Sequence, residues 1–381
     1  MRPLIAIDCR YLRDRPSGIG PYQRALVDHL PRLAPDLDFL LIRHHEAKNR
    51  LSEAPNAKDL LYPWEPNGPV TMWLMRFADF RSANLFHATF NIQPAGMPLP
   101  VVTTIHDVME VKYPDFAFYP GIWGRVQKAF FRNGVERALR LSVRIATVSQ
   151  ATRDEIATVD PGAAERARVT PNGIGAEWHP ARSAEDRALA ESARNRYLPG
   201  ARRYVLTVGQ FAPYKNHEGV VKAFARTFQG DSTTHLALVQ RLGPGSRRLN
   251  PLARELGILE RVHFLRNLPF PDLLALYWGA LALCHPSFYE GFGMPPLEAL
   301  ASGCPVVTSN CSSMPEVVGD AALLVDPHDE SAIASALGRI ANEPHTAQAL
   351  REAGIERSQA FRWEVTAERT LAIYREVLGQ L

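Results

Sequence analysis

Short runs of aliphatic and β-branched residues alternate with longer amphipathic segments along almost the whole chain. A short apolar run indicates a buried strand, whereas apolar residues spaced three and four positions apart predict a helix. Strands that alternate with helices in this way form βαβ units around parallel sheets. The pattern therefore predicts an α/β fold.

The strands predicted in the first half are Leu4 to Cys9, Asp38 to Arg43, Asn84 to Ala88, Val101 to Ile105, Val143 to Ser149 and Val169 to Asn172. Those in the second half are Tyr204 to Val208, Leu236 to Gln240, Val262 to Arg266, Leu281 to His285 and Pro305 to Ser309. Helices are predicted near Pro21 to Leu33, Ile122 to Leu141 and Ala151 to Thr158. Two sheets of about five or six strands each fit this pattern better than one.

The chain length of 381 residues also favours two domains. A turn at Asn172-Gly173 precedes a charged stretch that contains Pro180 and Pro199. The predicted organisation is an N-terminal domain over 1–180, a linker over 181–202, a C-terminal domain over 203–360 and a C-terminal helix over 361–381.

Charge and cysteine usage exclude several classes of protein. The chain has 43 basic and 40 acidic residues, a balance that argues against nucleic-acid binding. Its four cysteines form no CxxC pair, so we expect neither a disulfide framework nor a structural metal. No run is apolar enough for a signal peptide or a transmembrane span. We expect a cytoplasmic protein.

The most informative string follows the strand Leu281 to His285, and open parallel sheets bind ligands beyond the carboxyl ends of their strands. It reads Glu290-Gly291-Phe292-Gly293-Met294-Pro295-Pro296-Leu297-Glu298. A helix is predicted to begin at Pro295 or Pro296 and to end at Gly303. Carboxylates can hold sugar hydroxyls, and amides at a helix N-terminus can bind phosphate. The string predicts a site for a sugar and a nucleotide.

A lysine ends the loop that follows the strand Tyr204 to Val208, which reads Gly209-Gln210-Phe211-Ala212-Pro213-Tyr214-Lys215-Asn216. Asn216 is the predicted N-cap of the next helix. Lys215 could neutralise the charge that develops on a departing diphosphate. The alternative is an ordinary surface lysine.

His106-Asp107 follows the strand Val101 to Ile105. The histidine could bond a sugar hydroxyl or carry a proton, and Asp107 could orient it, although adjacent side chains on extended backbone point apart. The alternative is a histidine bonded to the backbone.

A glycine loop precedes the first helix. Gly18 and Gly20 resemble the start of a dinucleotide fingerprint, but Gln23 occupies the third glycine position, which argues against NAD binding. The loop either lies near a phosphate or an acceptor, or is a simple turn. Asp36-Leu37-Asp38 has the spacing of a metal-binding DxD motif, but its place after Ala34-Pro35 favours turn chemistry, so no metal site is predicted.

Residues 121–144 form a basic amphipathic segment that contains Trp123, Val126, Phe130 and Phe131. Such a helix either lies on anionic lipid at the inner membrane surface or packs on the sheet with a solvated basic face, and the second is commoner. The string Met72 to Phe77 raises the same two interpretations.

Together these strings resemble the family 4 retaining glycosyltransferases of the GT-B fold, especially bacterial mannosyltransferase-like members. The likeness is carried by Pro16 to Gly20, Phe86-His87-Ala88, Thr104 to Asp107, Thr147-Val148-Ser149, Pro171-Asn172-Gly173, Val208 to Asn216 and Pro286 to Pro327. It implies two Rossmann-like domains with parallel sheets facing across a cleft, with the donor mainly on the C-terminal domain and the last helix returning to the first.

The resemblance also assigns roles to residues. It implies that Glu298 binds the ribose, that Glu290 and the backbone of Gly291, Phe292, Gly293 and Met294 bind the donor sugar, and that Lys215 binds the diphosphate. His106 would reach the transferred sugar, Gly18 and Gly20 would cover the phosphates, Gly209 and Gln210 would line the donor site, and Asp107, Ser149 and Tyr22 would lie on the acceptor side. The family often has arginine where this chain has Gln210, so helix amides or another cation such as Arg241 would have to compensate.

The implied activity is transfer of a hexose, with mannose first, from a nucleoside diphosphate sugar to a saccharide or lipid-linked saccharide with retention of configuration. GDP-mannose is the first donor candidate and a UDP-hexose the second, with no cofactor and no metal, as in cell-surface polysaccharide synthesis. Alternatives are a nucleotide-sugar epimerase or phosphorylase of the same fold, and a non-catalytic nucleotide-sugar-binding protein.

Overall fold

A computed structural model describes residues 2–13, 18–75, 78–80, 82–116, 121–239 and 245–379, without the side chains of residues 121–123 and 245–246. Four features of the sequence lie outside these residues: Pro16-Ser17 of the glycine loop, Arg76-Phe77, the last predicted residue of the strand at Gln240, and Arg241.

The strands and helices alternate as the sequence pattern predicts. The strands are β1 (Leu4–Asp8), β2 (Asp38–Arg43), β3 (Ala57–Leu61), β4 (Leu85–Ala88), β5 (Val101–Ile105), β6 (Arg144–Thr147), β7 (Ala167–Val169), β8 (Arg203–Val208), β9 (Thr234–Val239), β10 (Val262–Leu265), β11 (Ala282–His285), β12 (Val306–Ser309) and β13 (Leu323–Val325). The helices are α1 (Gly20–Leu33), α2 (Pro69–Leu74), α3 (Met109–Lys112), α4 (Gly121–Leu141), α5 (Gln150–Val159), α6 (Pro161–Glu165), α7 (Ala184–Tyr197), α8 (His217–Thr227), α9 (Gly245–Glu255), α10 (Phe270–Gly279), α11 (Met294–Ala301), α12 (Met314–Val318), α13 (Glu330–Asn342), α14 (Pro344–Ser358) and α15 (Trp363–Leu378).

The chain divides into two compact units, the first made of Met1–Gly173 with Arg362–Leu381 and the second of Ile174–Phe361. Residues 181–202 therefore belong to the second unit instead of forming a separate linker. Their helix α7 packs against α10 in that unit, and the phenol of Tyr197 donates a hydrogen bond to Asp272. A capping box at Ser183 and Asp186 starts α7, which explains why this polar stretch is ordered.

Each unit contains one parallel sheet. Within the described residues, the strand order is β3-β2-β1-β4-β5-β6-β7 in the first unit and β10-β9-β8-β11-β12-β13 in the second. All pairs in both sheets are parallel. The predicted α/β class is confirmed, and both orders are Rossmann-like.

The sequence pattern missed β3 and β13 and placed β7 two residues too late. β3 and β13 lie at sheet edges, and β3 carries Lys58 and Asp59 in its centre. Because β3 is partly solvated, it lacks the continuous apolar run by which a central parallel strand is found. β13 is apolar but has only three residues, fewer than a typical strand.

Helix α15 completes the core of the first unit. Ala367, Leu371 and Tyr374 are buried in the same apolar cluster as Ile5 of β1 and Leu26 of α1. The predicted C-terminal helix thus packs with residues from the beginning of the chain.

Polar contacts also hold α15 in place. The ring of His87 on β4 hydrogen-bonds the Tyr374 hydroxyl at 2.5 Å and the Thr104 hydroxyl at 2.8 Å. Burial lowers the pKa of His87 to about 3, so the ring is neutral. His87, which carries part of the family resemblance, has a structural role.

The strand order reverses direction between β1 and β4 in the first unit and between β8 and β11 in the second. In open parallel sheets, a crevice forms where the order reverses, beyond the carboxyl ends of the two strands. These two positions are therefore where each unit can bind a ligand.

Candidate functional site

The reversal point of the second unit brings together two residues that are far apart in the sequence. Lys215 follows β8 and Glu290 follows β11, and these strands are neighbours. The Lys215 Nζ atom lies 2.5 Å from Glu290 Oε1, and each side chain is only 11% exposed. The residue predicted to bind the diphosphate and the residue predicted to bind the donor sugar thus form a nearly buried ion pair.

One oxygen of Glu290 is held by several donors. Oε1 accepts hydrogen bonds from Lys215, from His285 Nε2 at 2.8 Å and from Ser287 Oγ at 2.9 Å. Among the described residues, no donor bonds Oε2. The side chain is therefore fixed through one oxygen and keeps the other for a ligand.

The charge of Glu290 is set by its partners. Burial alone would raise the pKa of this carboxyl, but Lys215 and His285 outweigh burial and lower it to about 2. The hydroxyls of Ser312 and Ser313 donate to the Glu290 carbonyl at 2.5 and 2.9 Å, which fixes the backbone. Sequence reasoning missed His285 and both serines, because only the fold brings them to Glu290.

Glu298 is in a different electrostatic state. It lies on α11, where the Tyr277 hydroxyl donates to its Oε2 at 2.8 Å. Burial raises the pKa of Glu298 to about 7, and the opposing effects of Tyr277 and Lys215 are weaker. Two carboxyls of one string therefore differ in proton occupancy at neutral pH.

The glycine turn before α11 has a specific steric cause. Gly293 has φ +108°, a conformation that L side chains rarely adopt. A Cβ atom at this position would lie 2.3 Å from Met314 Cε. Only glycine fits here without strain.

The start of α11 differs from the prediction. The helix begins at Met294, one or two residues before the predicted prolines, and ends before Gly303 at φ +68°. Because Pro295 and Pro296 have no backbone N–H, the first three helical positions offer only the Met294 amide. The expected set of helix amides for the phosphate is thus reduced to Met294 and the loop amides before it.

The lysine loop has the predicted cap. Asn216 adopts φ +53° and its side chain accepts a hydrogen bond from the Gly219 amide, so it is the N-cap of α8. Its Nδ2 atom also donates to the Pro327 carbonyl at 2.7 Å. Gly209, at φ +151°, lies against the methylenes of Lys215, and Gln210 is exposed.

A second histidine in this unit was not predicted. His217 begins α8 and is 3% exposed, yet neither ring nitrogen has a hydrogen-bond partner among the described residues. The ring stacks on Phe211 with centroids 5.5 Å apart. Its only sequence signal is its position directly after Lys215-Asn216.

In the first unit, His106 lies at the carboxyl end of β5. Its ring packs on Tyr22 and Phe90, with centroids at 5.2 and 6.3 Å. Its Nε2 atom bonds the Thr89 carbonyl at 3.0 Å. Because a carbonyl only accepts, Nε2 carries the proton.

This bond determines what His106 can offer. Burial lowers the pKa of the imidazole to about 4, so the ring is neutral at physiological pH. Nδ1 is then an acceptor that suits a sugar hydroxyl. Asn91 Oδ1 accepts from the His106 amide at 2.7 Å and fixes the backbone of the residue.

Two residues predicted on the acceptor side are inside the core instead. Tyr22 is 1% exposed and its hydroxyl shares a 2.7 Å hydrogen bond with Thr104. Ser149 is 0% exposed and caps α5 by accepting from the Thr152 amide. Their side chains present no surface to an acceptor, so these two assignments are corrected.

The remaining predicted residues of the first unit have local roles. Asp107 Oδ1 accepts from the Met109 amide at 3.1 Å, and the Asn91 side chain approaches it at 3.5 Å. The contact that orients His106 therefore comes from Thr89. Gly20 is the first residue of α1, and a Cβ atom at Gly18 would meet no atom of the described residues within 4 Å.

A small pocket opens at the reversal point of the first unit. Asp8 at the end of β1 and Thr89 and Phe90 after β4 line it, together with Tyr11 and Asn67. Asp8 forms a bidentate ion pair with Arg10, whose side chain is fully buried. Sequence reasoning missed this pocket, since aromatic residues after strands have no distinctive spacing.

Among the described residues, one group of three side chains lies close enough together to bind a metal ion. It consists of His44, His45 and Glu46, which follow β2. This group lies in the first unit, away from Glu290 and Glu298 in sequence and in unit. The two aspartates of the DxD string instead lie near Arg375 and Arg2.

Two family models match the chain. The model described as "Glycosyltransferase Family 4" covers residues 16–178, and "Glycosyl transferases group 1" covers residues 190–357. An MMP alpha-(1->4)-mannosyltransferase of Mycolicibacterium hassiacum is 30% identical over 298 residues, which are 76% of this chain and 68% of that protein. The chain belongs to the family 4 glycosyltransferases.

Another relative of this family 4 glycosyltransferase is a D-inositol 3-phosphate glycosyltransferase of Corynebacterium glutamicum, 31% identical over 219 residues. The match covers 56% of this chain and about half of the relative, 52% of its length. Among solved structures, a sucrose-phosphate synthase from Thermosynechococcus elongatus aligns over 100% of both chains with a TM-score of 0.76 and 22% identity. This glycosyltransferase therefore has the GT-B fold.

Proposed function

We propose that this glycosyltransferase moves a hexose, mannose before other sugars, from a nucleoside diphosphate sugar to a saccharide or lipid-linked saccharide with retention of configuration. One observation carries the proposal. Lys215 and Glu290 form a nearly buried ion pair at the reversal point of the second sheet, and Glu298 follows on the adjoining helix.

Each group has its own task. Glu298 holds the ribose hydroxyls through its ionised carboxylate. Glu290, fixed through Oε1, offers Oε2 to a hydroxyl of the donor sugar, beside the backbone from Gly291 to Met294. Lys215 binds the diphosphate together with the Gly209-Gln210 loop and the Met294 amide.

The chemistry follows from charge. As the glycosidic bond to the diphosphate breaks, negative charge grows on the departing oxygen, and Lys215 stabilises it. The acceptor hydroxyl attacks the face that the diphosphate leaves, and a donor phosphate oxygen takes its proton. The neutral His106 accepts a hydrogen bond from the transferred sugar through Nδ1, with Gly18 and Gly20 near the phosphates.

The loop after β4 supports an acceptor role for the first unit. Phe90 is half-buried and lies next to His106, and sugar rings pack on aromatic faces of this kind. Asp107 borders the same loops through Asn91. We assign the acceptor sugar to the loops that carry Phe90, His106 and Asp107 in place of the surroundings of Tyr22 and Ser149.

GDP-mannose is the first donor candidate, since the Mycolicibacterium hassiacum relative is named a mannosyltransferase, and a UDP-hexose is the second. Thermal-shift screening against GDP- and UDP-sugars tests this order, because only a ligand that binds the native state raises the melting temperature. With the donor known, Glu298→Gln should mainly raise the donor KM and Glu290→Gln should mainly lower kcat. Unchanged kinetics in both variants would refute the site.

Transfer should need neither a cofactor nor a metal ion, because Lys215 already supplies a cation to the leaving group. Activity in an excess of EDTA should equal activity without it. If EDTA abolishes the activity and an added divalent ion restores it, this expectation is wrong.

We also propose that the first unit contacts anionic membrane. Val126 on α4 is 57% exposed, near the basic residues Arg125 and Lys128, and Trp73 on α2 is 52% exposed. The second half of α4 packs in the core through Val135 and Leu139. Among the described helices, none is both long and apolar enough to cross a bilayer.

Sedimentation with liposomes that contain anionic lipid should show binding that weakens as salt increases. Replacement of Arg125 and Lys128 by glutamine should remove it, whereas Arg226→Gln in the second unit should not. Equal binding to neutral liposomes, or none at low salt, would leave α4 as a packed helix with a solvated basic face.

A further inference from the structure

The imidazole ring of His217 in the second unit is buried without a hydrogen-bond partner among the described residues. It is 3% exposed, and neither Nδ1 nor Nε2 forms a hydrogen bond with any described residue. Burying a polar group without a partner is unfavourable, and nearly all buried polar groups in proteins have one. A leucine would fill a purely structural position here at lower cost.

His217 also follows the N-cap Asn216 directly and lies two residues after Lys215, which belongs to the proposed donor site. Apart from burial, the pKa of His217 responds to His285, Lys215 and Glu290, and the result is a neutral ring with a pKa of about 3. A neutral imidazole carries one N–H and one lone pair. It can therefore donate a hydrogen bond to an anion without holding a buried charge in the unliganded protein.

The backbone at this position points to the same kind of ligand. His217 is the first residue of α8, an eleven-residue helix. The Asn216 side chain occupies the Gly219 amide, so the amides of His217 and Glu218 are the ones with no partner within the helix. Amides at a helix N-terminus favour anions.

The donor site needs such a group. Gln210 is neutral, and the prolines of α11 remove two amides from the start of that helix. Lys215 is the charged group that the described loop supplies, and it is shared with Glu290. A second donor on the α8 side would make up for these losses.

We propose that His217 and the N-terminus of α8 form a phosphate subsite, in which the imidazole N–H donates to a phosphate oxygen of the nucleotide. This inference rests on the proposed function, since it assigns a further ligand to the same donor site. It makes His217 a binding residue that discriminates nucleoside diphosphates from nucleosides.

The test compares ligands with and without phosphate. Isothermal titration would measure the binding of GDP, UDP, inorganic pyrophosphate, guanosine and uridine to the wild type and to His217→Leu. The variant should bind the diphosphate that the wild type prefers, and pyrophosphate, about tenfold or more weakly. Nucleoside binding should change less than twofold, and the melting temperature of the free protein should stay equal or rise.

The matched control is His263→Leu, on β10 of the same unit, where the histidine stacks on His235. This variant should keep wild-type affinity for every probe. If His217→Leu binds GDP, UDP and pyrophosphate as the wild type does, the inference is wrong.

A second measurement tests the inference in the wild type and does not require His217→Leu to fold. In wild-type protein labelled with nitrogen-15 histidine, pyrophosphate should shift the ring signals of His217, which are identified by their loss in His217→Asn. Absence of a shift at saturation would overturn the inference even if His217→Leu did not fold.

The same titrations separate the two proposals. If the wild type binds GDP or UDP, if Glu298→Gln weakens that binding and if His217→Leu does not, only the phosphate subsite fails. If the wild type binds no nucleotide and no pyrophosphate, the proposed function fails and the subsite fails with it.

Discussion

The two units of this glycosyltransferase have the same strand order but carry different residues where that order reverses. At the reversal point of the second unit, the loops after β8 and β11 bring Lys215 and Glu290 together, and Glu290 Oε2 has no donor among the described residues. At the reversal point of the first unit, β1 and β4 carry the aromatic residues Tyr11 and Phe90. Topology thus determines where a ligand binds, whereas the loop residues determine which ligand it is.

The buried ion pair of the first unit makes the contrast clearer. Arg10 is completely buried, and besides Asp8 it bonds the Trp64 carbonyl and the Thr71 hydroxyl. These partners use its hydrogen-bonding capacity within the protein. Asp8–Arg10 is therefore structural, whereas the Lys215–Glu290 pair leaves Glu290 Oε2 without a donor among the described residues.

The largest effect is expected from Lys215→Ala. Glu290 would lose its cation while nearly buried, which should lower the free energy of unfolding by about 3 kcal/mol. Transfer should fall at least about 100-fold, because the leaving group loses its charge partner. Chemical denaturation and steady-state kinetics measure the two effects.

The control for Lys215→Ala is Lys222→Ala, which removes an ion pair to Glu330 whose side chains are 42% and 43% exposed. That change should cost less than about 1 kcal/mol and leave kinetics intact. Equal losses in both variants would contradict the distinction between a buried site pair and a surface pair.

A smaller but still large effect is expected from Gly293→Ala. The added methyl group meets Met314, and the positive φ strains any L residue, so the variant should lose about 2 kcal/mol of stability. Donor KM should rise about tenfold, because the turn positions the amides before α11. Gly230→Ala, where a Cβ atom meets nothing within 4 Å, should change neither quantity.

Glu298 should make stability and donor binding respond to pH in opposite directions. Its pKa is about 7 in the folded protein, against an ordinary value of 4.5, so the folded state holds the proton more tightly. As the pH rises from about 4.5 to 7, wild-type stability should therefore fall relative to that of Glu298→Gln. Above pH 7, the variant should be more stable by about 3 kcal/mol.

Donor binding supplies the other half of this prediction. Ribose hydroxyls donate to the ionised carboxylate, so wild-type affinity should increase as the pH rises from 6 to 8. The affinity of Glu298→Gln should be lower and independent of pH in this range. A wild-type affinity that does not change between pH 6 and 8 would contradict the role of Glu298.

The smallest effect is expected from Tyr22→Phe in the first unit. Loss of its hydrogen bond to Thr104 should cost about 1 kcal/mol of stability. The acceptor KM and kcat should remain within twofold of the wild type, as measured in the transfer assay. A specific rise in acceptor KM would restore the acceptor role that burial argues against.

The sequence predicted the features that depend on residues close together along the chain. The apolar runs located the central strands, Asn216 was recognised as a helix cap, and the string from Glu290 to Glu298 was placed after β11. The edge strand β3 and the contact of His285 with Glu290 were missed, because each depends on which strands become neighbours. Tyr22 failed as a site residue because its position on α1 does not reveal that its ring faces the sheet.

Because α15 belongs to the first unit, the two units become complete in the reverse of their order of synthesis. The second unit, Ile174–Phe361, is complete when residue 361 has emerged, whereas the first still lacks the helix that covers Ile5 and Leu26. Domains usually fold as their residues leave the ribosome, with the N-terminal one first. Here the unit that is synthesised first is the last to acquire its native core. Until α15 has emerged, the apolar surface around Ile5 and Leu26 stays uncovered and favours aggregation.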